Sequence, residues 1–158
     1  MTDPNQNADF RELIPELKKW NRGGKAIDLE TWISCEADHE HLIGYARILW
    51  PDFVEHDGCI FWESRSMRLA TGLGSHKLRE TRKKVEVVMN HRHILDLFPR
   101  SRHEPPSPEV VLHVGRLMRD ILQAELNRDF PGRKVTVTFG EDGVDDLADD
   151  QITFFLER

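Results

Sequence analysis

Three groups of side chains in this 158-residue sequence have types and spacings that could do chemistry: paired histidines, an acidic run and a basic face. His39 and His41 flank Glu40, and His91 and His93 flank Arg92. A two-residue spacing does not share a helix face, where i and i+4 meet, but in an extended stretch both imidazoles lie on one side. Zinc takes imidazole and carboxylate ligands, so one member of each pair with His56 and Asp57 could build a composite site. No HExxH and no paired CxxC accompanies them, and surface or capping histidines are the plainer reading. Cys59 follows His56 across a glycine turn, the order a thiolate–imidazole pair would need. Neither it nor Cys35 carries a further nucleophile signature, and a buried, inert thiol is the commoner role.

The acidic run comprises Glu141, Asp142, Asp145, Asp146, Asp149 and Asp150. Calcium wants several oxygen ligands in a fixed register with a central glycine. A loop opening at Asp142 places Leu147 at the glycine and Thr153 at the bidentate position; one opening at Asp145 places Asp150 and Leu156 there. Both registers fail. A solvated loop between strands, or a docking surface for a basic partner, remains. The string Gly72-Leu73-Gly74-Ser75-His76-Lys77 resembles a phosphate loop only superficially, since the GxxxxGK[ST] spacing is missing.

Arg79, Arg82 and Lys83 stand at i, i+3 and i+4 and so share one helix face, beside Lys77 and Lys84. Arg65, Arg68, Arg92, Arg100 and Arg102 add to the region. Such a face could neutralise phosphates. Against a nucleic-acid role, the isoelectric point is near 5.7, and no aromatic for base stacking falls between Trp62 and Phe98.

The net charge of −6 conceals this segregation. Residues 1–64 carry 6 Lys and Arg against 13 Asp and Glu, residues 65–103 carry 10 against 3, and residues 104–158 carry 6 against 12. A centre of +7 thus lies between flanks of −7 and −6. With mean hydropathy −0.55 and no long apolar run, a membrane span is not expected. Two cysteines are too few for a disulfide framework, and the polar, acidic start of the chain does not read as a targeting segment. A cytoplasmic protein is expected.

Several elements must position these residues. Asp9 and Glu12 resemble a capping box, but Pro15 requires a turn first, so a helix is expected around 14–21, burying Leu13, Leu17 and Trp20 and ending at Gly23-Gly24. Residues 27–36 fit a strand by alternation or a helix capped by Asp28; helix is preferred. Asp38 opens a helix whose positions Leu42, Ile43, Tyr45, Ala46, Leu49 and Trp50 form a wide apolar stripe, expected to be buried. A turn at His56-Asp57-Gly58 leads to a strand. Leu78, Val85, Val88 and Leu95 repeat at helical spacing, with a break near Asn90. Ser107, Pro108 and Glu109 start a long helix with an apolar stripe from Val110 to Leu126. Three of the four tryptophans, Trp20, Trp32, Trp50 and Trp62, can sit on apolar faces, and an exposed one would mark a contact site.

Together these predict an α+β fold: one domain with a helical majority on a small, mostly antiparallel sheet. Strands are expected near 59–63, 67–71, 134–139 and 152–157, and a long helix over 108–127. Residues 1–8 are expected to be disordered, residues 9–158 to form the domain, and residues 99–108 to form a proline-rich loop. The functional expectation is a non-enzymatic protein-interaction module that binds another protein, as an inhibitor, immunity-like or regulatory subunit, without a cofactor. It would use the basic face at Lys77, Arg79, Arg82, Lys83 and Lys84 and the acidic loop at 141–150. The alternatives are a small zinc-dependent hydrolase using His39, His41, His56, Asp57, His91 or His93, and a nucleic-acid binder acting through residues 65–103.

Overall fold

Residues 8–64, 82–97, 105–140 and 150–158 are described by the structure, a computed structural model. The expected strand at 67–71, the 72–77 glycine string, Lys77, Arg79, residues 99–104 of the proline-rich loop and residues 141–149 of the acidic loop lie outside them, as do residues 1–7. The fold is α+β, with a helical majority and small antiparallel sheets. Contacts within the chain gather into two compact units, Met1–Ile48 and Leu49–Arg158.

In the first unit, Asp9 accepts from the Arg11 amide and caps a single helical turn, α1 (Phe10–Leu13). Pro15 then opens α2 (Pro15–Lys19), where its missing N–H costs nothing. Of the three residues expected to be buried here, Leu17 is buried and Leu13 and Trp20 are half-buried. Gly23 and Gly24 do not simply end a helix. Both hold positive φ, 62° and 79°, as a two-residue hairpin turn requires, and they join β1 (Asn21–Arg22) to β2 (Lys25–Ala26). The ambiguity at 27–36 resolves as helix α3 (Leu29–Glu36), because the Asp28 carboxylate accepts from the Thr31 amide at 2.7 Å. Asp38 likewise accepts from the Glu40 amide at the start of α4 (His39–Leu49).

The second unit begins with a hairpin, β3 (Phe53–His56) and β4 (Cys59–Trp62), turned by Asp57 and Gly58 at φ 51° and 72°. All four residues of β4 are buried, so both faces of this strand are covered. Cys59 and Phe61 pack against Val85 and Met89 of α5 (Arg82–Asn90). Trp62 stacks on Phe53 at 5.5 Å and meets Phe154 edge-on at 5.0 Å. A second sheet has the order β5 (Arg92–His93), β7 (Gln151–Leu156), β6 (Val135–Phe139). A 3₁₀ turn (Ile94–Leu97) follows β5. The long helix, α6 (Pro108–Asp129), starts at the Ser107 cap and packs on β6 through Met118, Leu122 and Leu126. Gly115 permits the closest approach: a Cβ there would stand 2.2 Å from the buried Phe139 ring.

Side chains finish both sheets where backbone partners run out. Gln123 of α6 donates to the Val135 carbonyl and accepts from the Val137 amide, occupying the outer edge of β6. Glu86 and Asn90, one helical turn apart on α5, bridge β4 to β7. Glu86 accepts from the amides of Ile60 and Leu156, while Asn90 donates to the carbonyls of Ile60 and Phe154. The inward face of α5 therefore carries a carboxylate and an amide, whereas Val88, expected inside by its spacing, is 62% exposed.

Candidate functional site

Helix α5 ends at Asn90, whose side-chain nitrogen bridges the strands and whose backbone carbonyl accepts from the Trp62 indole. The chain then extends through His91, Arg92 and His93 beside Ile152 and Gln151 of β7. The Arg92 guanidinium carbon stands over the Trp62 ring, 4.0 Å from its centre, and the group donates to the Ser64 hydroxyl at 3.5 Å. Such stacking holds a guanidinium while leaving its edge available for hydrogen bonds.

Both flanking histidines have fixed orientations. His93 Nδ1 lies 3.2 and 3.3 Å from the two Asp150 carboxylate oxygens, and its Nε2 faces the Gln151 amide nitrogen at 3.2 Å. An amide nitrogen only donates, and the Nδ1–H tautomer of His93 is the one that satisfies both neighbours. His91 Nδ1 donates to the Val88 carbonyl at 2.5 Å, which assigns its proton in the same way. The two rings stand 5.9 Å apart, nearly perpendicular. With Arg92, Asp96 and Leu97 they line a cleft of about 240 Å³.

The other candidate residues fall in both units. His39 and His41 belong to α4 in the first unit, where His41 faces Asp38 at 3.3 Å. His56 and Asp57 occupy the β3–β4 turn, 3.6 Å apart and both largely exposed. Among the described residues no group of three His, Cys, Asp or Glu is gathered to hold a metal ion. The Cys59 thiol meets the Arg158 guanidinium at 3.5 Å. Burial, and then the nearby Glu86 charge, push that thiol above its ordinary pKa, the opposite of nucleophile activation. Cys35 is exposed on α3.

Of the basic face, Arg82, Lys83 and Lys84 are described. Lys83 sits over the Phe155 ring at 4.0 Å, so its stem and charge cover the sheet. Of the acidic loop, Asp150 is described, and it is engaged twice: its carboxylate faces His93, and its carbonyl accepts from the Ile94 amide. That residue anchors the loop's end to β5.

The largest departure from expectation is α4. The stripe of Leu42, Ile43, Tyr45, Ala46, Leu49 and Trp50 was expected to be buried, yet α4 buries none of its residues. Leu42 is 66% exposed, Ile43 68% and Tyr45 43%. On the other side of the helix, a Cβ at Gly44 would meet nothing within 4 Å. Periodicity identified an apolar face, but a face can be covered by something other than the chain that carries it. The tryptophans divide similarly. Trp62 is buried and Trp20 and Trp32 are half-buried, while Trp50 is 54% exposed beneath the Arg128 guanidinium.

No family model, curated protein or solved structure matches the chain. No described helix is long and apolar enough to cross a membrane.

Proposed function

We propose that the protein is a protein-interaction module whose contact surface in the first unit is the apolar face of α4. The observation that supports this reading is that an 11-residue helix exposes Leu42, Ile43 and Tyr45, while its best-covered residues, Ile48 and Leu49, are only half-buried. Helices shorter than about 12–15 residues are marginal unless an apolar face is packed, and Gly44 weakens this one further. A grouped apolar surface on such a helix is the usual mark of a protein contact. Ile33 of α3, 44% exposed, adds apolar surface in the same unit. The charge segregation of the sequence would steer association and select the partner, which makes an inhibitor or regulatory subunit the natural class.

The substitutions Leu42→Glu and Ile43→Glu test the reading. Exposed positions change stability by about 0.5 kcal/mol or less, so the double variant is expected to melt with the parent while losing its capture by the partner. Strong destabilisation of the isolated protein would instead mean that the face packs within its own chain, and would overturn the proposal.

A further inference from the structure

We propose that the partner seated on α4 is a cationic amphipathic helix, one whose apolar stripe is edged by lysine or arginine. This rests on the reading of α4 as a contact surface and adds the chemistry of what covers it. Residues 28–49 hold five Asp and Glu against a single Lys or Arg, Arg47. Three of the five, Glu36, Asp38 and Glu40, gather where α3 gives way to α4, and all three are exposed. Helical spacing sets two of them beside exposed apolar residues. Glu36 stands three positions after Ile33, and Glu40 three before Ile43.

No Lys or Arg among the described residues pairs with Glu36 or Glu40. Asp38 faces His41 at 3.3 Å, and the Glu40 amide it accepts holds its carboxyl below the ordinary range. The same unit matches carboxylates elsewhere: Lys18 meets Glu12 at 2.7 Å and Lys19 meets Glu16 at 2.5 Å. Uncompensated negative charge thus coincides with the exposed apolar side chains. A partner with an acidic rim would bring like charges together, whereas a cationic rim supplies the missing counter-charges. A helix presents that combination, with apolar residues in one stripe and cations along its sides. The 11 residues of α4 extend about 16 Å, enough to meet three turns of such a helix.

The test uses the full chain and two synthetic peptides of about 18 residues with the same leucine stripe, one carrying lysine and the other glutamate at every polar position. Fluorescence anisotropy is expected to show the lysine peptide binding at least tenfold more tightly, with an affinity that falls as salt is added. Leu42→Ala/Ile43→Ala should weaken that binding at least tenfold, and Glu36→Gln/Glu40→Gln should cut the preference for lysine to under threefold. Glu12→Gln/Glu16→Gln removes the same charge elsewhere and should leave the preference within twofold, with melts matching the parent for each variant. Equal affinity for the two peptides, both lost in the alanine variant, would overturn the cationic class and leave the α4 reading standing. Lysine-peptide binding that ignores the alanine variant would count against both. An equal loss in the Glu12/Glu16 variant, or no binding of the lysine peptide, would overturn the proposal. So would a parent that sediments as a dimer and an alanine variant that sediments as a monomer, since the face would then belong to a second copy.

Discussion

Glu86 is the residue on which the second unit turns. It is fully buried, accepts two backbone amides and pairs with Arg158 at 2.8 Å. Removing one member of a buried pair costs far more than the pair contributes net, because the groups left behind lose their partner without regaining water. Glu86→Ala is therefore expected to cost about 3 kcal/mol, read as a lower urea midpoint at unchanged slope. Glu157 gives the pH signature. Hydrogen bonds from Lys134 and Thr136, then the Lys134 charge, hold its carboxyl below the ordinary range. A lowered folded-state pKa contributes stability above the unfolded value, lost as pH falls through the folded one. The melting difference between the parent and Glu157→Gln should thus persist from neutral pH to about pH 5 and close below about pH 4.

Helix α6 and the strands β4, β6 and β7 were legible, the helix most of all because its signals are long and redundant. Ser107, Pro108 and five turns of apolar periodicity agree on one helix, and the helix observed over Pro108–Asp129 outlasts the expected 108–127 by one fraying end. At 27–36 alternation and helical spacing tied, and one capping carboxylate decided. The strand at Phe53–His56 and the two-residue strand β5 gave no such warning: each is short, and pairing rather than pattern defines them. Glu86 and Asn90 misled in a different way, since pattern reading places charged and amide side chains outside, whereas here they replace missing ladder bonds. The packing of α6 on β6 makes its own prediction. Gly115→Ala must displace the buried Phe139 ring, so despite alanine's better helix propensity it should destabilise by about 2 kcal/mol. Gln123→Ala should cost about 1–2 kcal/mol by stripping the edge of β6, and should raise the tendency to aggregate through that edge.

At the scale of the whole molecule, the proposed association with another protein rests on a basic centre between acidic flanks and on a short helix whose apolar face is exposed among the described residues. Of the residues that the sequence offered as a composite zinc site, His91 and His93 line one cleft. The apolar stripe of α4 was legible as a stripe; that it is exposed among the described residues was not, because periodicity reports which face is apolar and never what covers it. Photo-crosslinking from α4 tests the central claim most directly. With a benzophenone side chain at Leu42, and separately at the exposed Glu30 of α3, irradiation in the native cell should yield a discrete adduct to a second polypeptide from position 42 and none from position 30. That adduct should disappear when Ile43 is replaced by Glu. Crosslinks from Leu42 that stay within the chain, or that form equally from Glu30, would contradict the account.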